Sequence, residues 1–491
     1  MPRFAIKSIF LFLIFTFILV LFFAIASFDH RAPIASAGKL LAGGSQTIFI
    51  PLVSSQTIST PPSASRRVHA PTYPAEIWWG GTGIFWFGKI TQSENYADVR
   101  VAHNSTDLYI RVTVTDRRIW CNTNASATDP TAWDTIALSL DLNGNRSAAP
   151  DTNDYRLIAP FNAGVGCVNG TWTRAYRGTG ATWSPTNTAF FTDAWYRGLG
   201  GPNQNADNEG WVITFQIPFS SFGMARAPNP GTAWGLGVTL YDRDSSTNTF
   251  IPSKSWPQTF ASDQPNTWGQ LVFGLPPAYS APPATPRATI TIKQGLNGAS
   301  VPDADVGAWT TCGAGLDLWT QWGEKNYAGQ TQVNIQNQED VSDWPCFSKY
   351  YVTFPLTALP AGKQIISSTL TLYQFGNSGQ GWTPPPWRSL IQVLTVNDNW
   401  NEATLNWNNA PLAGELISQS NVDPLDTVPP WPGIPRTWDV SAAVANAYAS
   451  GLPARLVLYS ADRPMHSGKY FYTSDASPEG RPMLQVVWGD P

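Results

Sequence analysis

The chain has 491 residues and a formal net charge of −4, and charged residues make up only 13% of it, so no extended basic face exists to hold nucleic acid. Its 23 Trp, 40 Gly and 41 Pro favour an all-β protein with many turns and aromatic cores. No GxSxG, HExxH or phosphate-binding loop occurs, which removes the usual signatures of hydrolases, metalloproteases and nucleotide-binding enzymes.

At the N-terminus Arg3 and Lys7 precede an uncharged run over residues 8–28, rich in Phe, Leu and Ile. This is the charged-then-apolar layout of a secretory signal. The run exceeds the roughly 7–15 residues of a signal core and reaches the ~20 of a spanning helix, so residues 1–37 read as a signal peptide or as a membrane anchor. Ala24 with Ala26, and Ala35 with Ala37, offer small-x-small cleavage patterns. Basic residues before the run keep that end cytoplasmic and place the rest outside, either extracellular or at the cell surface. Membrane contact is expected only through this segment, if it is uncleaved. Residues 38–68 are Ser, Thr, Gly and Pro rich and read as a spacer.

Two jelly-roll-like β-sandwiches in tandem are expected next, over residues 69–274 and 287–491. Between them "LPPAYSAPPATP", residues 275–286, is too proline-rich for a helix or a central strand and reads as a linker. Strand-like alternation recurs in "DVRVAHNSTDLYIRVTVTD", which reads as a hairpin turning at Asn104, Ser105 and Asp107, and in "WDTIALSLDLNG", "GWVITFQIP" and "WGLGVTLYDRD". The one helix expected is "VSAAVANAYASG", residues 440–451. Cys121 with Cys167, and Cys312 with Cys346, each fall inside one candidate domain and would close disulfides in an oxidising compartment. Zinc is a poor competitor, since no CxxC occurs and the four histidines are scattered.

The stretch "DLNGNRSAAPDTND" gathers Asp141, Asn143, Asn145, Asp151 and Asp154, hard oxygen donors of the kind calcium prefers. A turn whose Asx side chains satisfy their own backbone explains the same composition. Asp242 and Asp244 make a second, weaker calcium candidate.

Residues 69–274 resemble carbohydrate-binding module family 9, through "VRVAHNSTDLYIRVTVTD", "WDTIALSLD", "EGWVITFQIPFSSFG", "WGLGVTLYDRD" and the closing "WGQLVFG". The resemblance implies a β-sandwich in which two aromatic side chains clamp a sugar ring, with a structural calcium. Trp133 lies closest to the first clamp position, Phe260 and the preceding Trp256 lie near the second and are both taken as sugar-binding, and Arg156 matches an arginine that contacts sugar hydroxyls. The chain departs from the pattern where Ala137 replaces a sugar-binding glutamate and Thr239 a glutamine.

Residues 287–490 resemble the DNRLRE domain, also placed among carbohydrate-binding modules as family 96. The most specific piece is "VNDNWNEATLNWNNAPLAGE", with Trp400, Glu402, Thr404, Trp407, Asn408 and Pro411 in the family's order. "TWDVSAAVANAYASG" supplies a helix start at Asp439, whose carboxylate can cap the first N–H groups. This resemblance implies acidic or neutral polysaccharide ligands, while the burial tendency of large aromatics makes Trp400 and Trp407 core residues. The expected function is therefore non-catalytic binding of a polysaccharide or other glycan. An adhesin or wall protein is one alternative. A polysaccharide lyase using Tyr155 and Arg156 is another, and a glycosidase would need two carboxylates about 5–10 Å apart across a cleft.

Overall fold

The computed structural model describes residues 66–491 apart from 125–127, 163–166, 168–171, 246, 248–249, 308–314, 338–344 and 463–464. The expected signal or anchor, nearly all of the spacer, and Cys312 lie outside the described residues. Residues Pro61–Pro491 form one compact unit.

The N-terminal half consists of β1 (Arg67–Ala70), β2 (Gly83–Thr91), β3 (Glu94–His103), β4 (Asp107–Thr115), β5 (Thr135–Asp141), β6 (Asp154–Pro160), β7 (Arg174–Gly178), β8 (Trp183–Pro185), β9 (Phe191–Arg197), β10 (Gly210–Pro218), β11 (Ala233–Arg243), β12 (Phe250–Trp256) and β13 (Gly269–Phe273). One sheet runs β1-β13-β11-β5-β6-β7-β8 with β12 also on β11, and the other runs β2-β3-β4-β10-β9. The expected hairpin is β3–β4, and Asn104 Oδ1 closes its turn by accepting the N–H groups of Thr106 and Asp107 at 2.9 and 2.7 Å. Period-two alternation decides which side is core. Leu108, Ile110, Val112 and Val114 of β4, Ile136, Leu138 and Leu140 of β5, and Trp234, Leu236 and Val238 of β11 join one apolar cluster between the sheets. Each such side chain contributes about 1.5–3 kcal/mol on burial.

The C-terminal half holds β14 (Thr285–Lys293), β15 (Asp303–Gly307), β16 (Gln332–Asn337), β17 (Phe347–Phe354), β18 (Gln364–Asn377), β19 (Ser389–Val396), β20 (Ala413–Val422), β21 (Ile434–Asp439), α1 (Ser441–Ala449), β22 (Ala454–Ser460), β23 (Lys469–Tyr472) and β24 (Met483–Asp490). Its strands follow one path, β14-β24-β18-β23-β16-β17-β22-β19-β20, with β15 on β17 and β21 on β18. Ile292 of β14 and Val422 of β20, from opposite ends of that path, meet in a second apolar cluster, so the sheet curls back on itself. The expected helix is present as α1, and Asp439 accepts the Ser441 N–H at 2.9 Å from just before it. The proline-rich stretch is shorter than read, because β14 already begins at Thr285. Pro286 is tolerated there because β14 is an edge strand whose register shifts between Pro286 and Ala288.

The two halves are packed together, not strung on a linker. The outward side of β2 and β3 lies against β17, β19 and β22. Lys349 of β17 is buried there, its Nζ within 3.5–4.8 Å of the ring centroids of Trp86, Tyr96, Trp407 and Tyr459. Nζ donates to Tyr96 Oη at 2.7 Å, and Tyr96 donates to Asp98 Oδ1 at 2.5 Å. Asp98 Oδ2 accepts from Asn337 Nδ2 at 2.9 Å and Tyr459 Oη at 3.1 Å. Burial pushes the Lys349 amine well below the ordinary lysine range, and the Asp98 charge opposes that. Around this centre, Arg100 donates to the carbonyls of Ala461 and Asp462, Asn408 exchanges two hydrogen bonds with the Ile90 backbone, and Arg66 reaches Asp398 and the carbonyls of Leu412 and Ala413.

Cys121 and Cys167 are disulfide-bonded across 46 residues. Cys346 is buried and disulfide-bonded as well. Replacing Cys121 and Cys167 by Ser is expected to cost about 2–4 kcal/mol by the loop-closure argument, read from chemical denaturation. Lys349→Met leaves Asp98 buried without its cation, so a loss of about 3–5 kcal/mol is expected. Adding Asp98→Asn to the same chain should recover part of it, measured as a double-mutant cycle.

Candidate functional site

The sheet that carries β5, β6 and β11 has an outward face opposite the core. Alternation and register put Trp133, Thr135, Ala137 and Ser139 on it from β5 and the residue pair before it, and Arg243, Tyr241, Thr239 and Gly237 beside them from β11. Arg156 of β6 sits opposite Ser139, and Tyr176 of β7 opposite Arg156. The middle of the face is therefore floored by small side chains, with larger ones at its ends.

Phe260 follows β12 in a turn that its own N–H closes onto the Pro257 carbonyl at 2.9 Å. Its ring lies over Gly237, where any Cβ would collide with it, and 5.8 Å from the Trp268 ring. Trp133 is half-buried at the other end, with the Arg243 guanidinium 4.1 Å from its ring centroid. Gly237 and Arg243 are six residues apart in one strand, roughly 20 Å at about 3.3 Å per residue. The two expected clamp aromatics thus stand at opposite ends of one face. Arg156 points into it, its Nη2 donating to Tyr241 Oη at 2.8 Å and its buried Nε without a protein partner. Thr239 Oγ1 and Ser255 Oγ lie 2.9 Å apart.

Trp256 does not belong to this face. It is 1% exposed, pairs with the inward residue Val238, and packs on Phe85 with ring centroids 4.1 Å apart, so neither face of its indole is left for a ligand. Tyr155 and Arg156, the pair a lyase would use, are consecutive strand residues and point to opposite sides of the sheet. Tyr155 is buried against Phe222, 4.7 Å between centroids, and the pair cannot act on one substrate.

The loop expected to hold calcium satisfies much of its own backbone, while Asp154 Oδ1, although buried, has no partner. Asp141 accepts the N–H groups of Asn143, Gly144 and Arg146. Asn143 accepts that of Asn145, Asn145 that of Ser147, Asp151 that of Asn153, and Asp154 that of Asp151. This is the Asx-turn reading of the composition. Burial pushes the Asp154 carboxyl up to about 7.

A different set of carboxylates does converge. Asp116, Asp134 and Asp242 are all buried and offer oxygens within 4.8 Å of one another. Asp116 accepts from the Arg118 N–H and Trp211 Nε1, Asp134 from the N–H groups of Trp120 and Arg243, and Asp242 from Asn95 Nδ2. Asp242 Oδ1, although buried, has no partner. Burial, reinforced by the neighbouring carboxylates, holds Asp134 and Asp242 well above the usual carboxylate range and Asp116 at about 7. Three hard oxygen ligands with an orphaned lone pair fit a calcium-like cation. Of the three, only Asp242 was singled out from the sequence. The signal is phase: each Asp occupies the inward position next to an apolar alternation, Asp116 after 108-110-112-114, Asp242 after 234-236-238-240 and Asp134 before 136-138-140. Asp303, Glu402 and Asp475 also approach one another, but both Asp303 oxygens are taken, by Tyr350 and by Ser474.

In the other half, Trp407 is buried against Lys349 and Trp322, as expected of a core residue, and Trp400 is partly buried against Tyr351. Residues 315–487 match carbohydrate-binding module family 96. The family 96 segment runs from just after β15 into β24 and so includes most of the curled sheet. Similar solved structures include a family 9 carbohydrate-binding module from Caldicellulosiruptor kristjanssonii in complex with cellotriose, 17% identical over 45% of this chain and 100% of that one, with a TM-score of 0.30. A family 9 module from the same organism in complex with glucose is 14% identical over 44% of this chain and 100% of that one, also at 0.30. No curated protein matches the chain.

If the outward face is held in place from below by Asp134 and Asp242, Asp242→Asn should lower the melting temperature gained from added calcium to near zero. The unaltered protein should gain about 2.7 kcal/mol at a hundredfold excess of cation over its dissociation constant, and lose it to a chelator. Differential scanning calorimetry with and without calcium checks both.

Proposed function

We propose that the protein is a non-catalytic polysaccharide-binding protein, exported and held or released outside the cytoplasm, whose N-terminal half binds a glycan chain along the outward face of β5, β6 and β11. The observation that carries this reading is the arrangement of that face: aromatic rings at both ends, small and hydroxylated side chains between them, and the Arg156 guanidinium reaching in. Sugar rings present apolar C–H faces that pack on aromatic rings, and their hydroxyls need polar partners once desolvated. Trp133 and Phe260 supply the rings. Arg156, Tyr241, Thr239 and Ser255 supply donors and acceptors. The spacing of the two rings suits a run of sugar units better than one clamped ring. The family 96 match of the C-terminal half supports the same class of ligand.

Calcium, when bound at Asp116, Asp134 and Asp242, would supply positive charge that offsets three buried carboxylates. Asp134 is next to Trp133 in sequence and Asp242 next to Arg243, so holding the two carboxylates on the core side fixes the Trp133–Arg243 stack on the outer side. Export rests on the N-terminal charged-then-apolar segment.

Affinity electrophoresis against neutral and acidic polysaccharides tests the reading. Retardation by at least one glycan is expected, and Trp133→Ala or Phe260→Ala should weaken it about tenfold, roughly 1.4 kcal/mol, without altering the melting temperature by more than a few degrees. Retardation by none of them would sink the proposal, and release of sugar products would replace it with an enzyme.

A further inference from the structure

The geometry points to a uronate-bearing polysaccharide as the ligand of the β5, β6 and β11 face, its carboxylates received by Arg156 of β6 and Arg174 of β7. The inference rests on the glycan-binding reading above and names the class of chain that the face selects.

Strand phase sets the two arginines side by side. Leu157 of β6 is buried in the core and pairs with Ala175, which packs on the same cluster, so Arg156 and Arg174 on either side of that pair turn outward. Arg156 stands opposite Tyr176 and Arg174 opposite Ile158, which makes the arginines diagonal neighbours, about 7–8 Å apart at Cα. Arg174 also ends the cross-strand row Thr239, Ala137, Ile158, Arg174, which passes between the Trp133 and Phe260 ends of the face. Arg243, stacked on Trp133, adds a third guanidinium at one end.

Neither Arg156 nor Arg174 has a counter-charge. Arg156 Nη2 donates to Tyr241 Oη at 2.8 Å, its Nε is buried without a protein partner, and its Nη1, which is not buried, makes no hydrogen bond. Arg174 Nη1 donates to the Thr173 carbonyl at 3.2 Å, and the guanidinium lies 5.7 Å from the Trp172 ring centroid. Neither side chain forms an ion pair among the described residues. The neighbouring outward positions, Thr135, Ala137 and Ser139 of β5 and Gly237, Thr239 and Tyr241 of β11, are all neutral. The nearest acids are engaged elsewhere: Asp141 accepts three N–H groups of its own turn, Asp154 Oδ2 accepts the Asp151 N–H, and Asp263 accepts from Trp183 Nε1 at 2.8 Å. Like charges held as neighbours on one sheet face are unfavourable, and a bound anion relieves that.

The chemistry of the guanidinium selects the anion. Its planar fork matches the two oxygens of a carboxylate and makes stronger hydrogen bonds to it than to a neutral hydroxyl. A neutral sugar would fill the same donors and leave the charge uncompensated in a half-buried place. A uronate carboxylate projects from the edge of its ring, so the C–H faces stay available to Trp133 and Phe260 while the edge meets the arginines. A polymer repeats its carboxylates, which suits two neighbouring cations better than a single acidic sugar does.

Affinity electrophoresis of the full chain tests this in gels of polygalacturonate, of the same polymer with its carboxyls reduced, of carrageenan and of hydroxyethylcellulose. Retardation by polygalacturonate should exceed that by the reduced polymer about tenfold and weaken as salt is added. Arg156→Gln and Arg174→Gln should each weaken it about tenfold with little change in melting temperature. Arg156→Lys should fall between Arg156→Gln and the parent, because it keeps the charge and loses the fork. Equal retardation by the reduced polymer, lost on Trp133→Ala, overturns the carboxylate and spares the glycan face. Retardation by carrageenan alone assigns sulfate in place of uronate and overturns the inference. Polygalacturonate retardation that both arginine variants leave within about twofold places that binding elsewhere on the chain and overturns it too. Should no gel retard the chain, the inference and the reading it rests on fall together.

Discussion

Lys349 carries its amine into a volume from which water is excluded, and both halves of the chain are shaped around that group. Trp86 and Tyr96 come from one half, Trp407 and Tyr459 from the other, and each turns a ring toward it. Asp98, also buried, is tied to it through Tyr96. A charge desolvated this thoroughly is tolerable only where an opposite charge and several polarisable faces are held in place at once. The amine comes from one half, its counter-charge from the other, and the ring faces are shared between them, so the interface is as specific as a core. Arg100 and Asn408 extend that logic outward by pairing with backbone groups across the boundary, which would otherwise be buried without partners.

A consequence is that both halves belong to one compact unit. The packing between them fixes the direction of the outward face of β5, β6 and β11 relative to the curled sheet in a way that a flexible linker could not.

Aromatic residues are put to opposite uses by the same local rule. Trp211, Trp234, Trp256, Trp268, Trp322 and Trp438 are buried completely, while Trp382, Trp387 and Trp431 stand exposed on loops. Alternation made Trp211 and Trp234 legible as core, because each continues an apolar phase along its strand. Trp256 was misread for the opposite reason: "FIPSKSW" shows no alternation, and only its pairing with Val238 fixes which way the indole faces. The acidic loop from Asp141 to Asp154 illustrates the same limit. Its composition fits a cation and an Asx turn equally, and the hydrogen bonds that form the turn depend on backbone directions that composition does not carry.

Local periodicity, turn chemistry and motif order suffice for the strand-rich character, the hairpin of β3 and β4, the helix α1, the Cys121–Cys167 pair and the family 96 match of residues 315–487. Trp133, Phe260 and Arg156 are grouped by the family 9 resemblance, and the structure puts them on one face, with the two rings at its ends. Everything that depends on residues distant in the chain needed the packed fold. Asp116, Asp134 and Asp242 each show in phase alone, yet their convergence needs β4 and β11 to end where β5 begins. Lys349 reads as one cation in a strand until β2, β3 and β22 close over it. Strand phase is a property of neighbours two residues apart and survives in the sequence, whereas proximity between sheets is set by how whole faces pack.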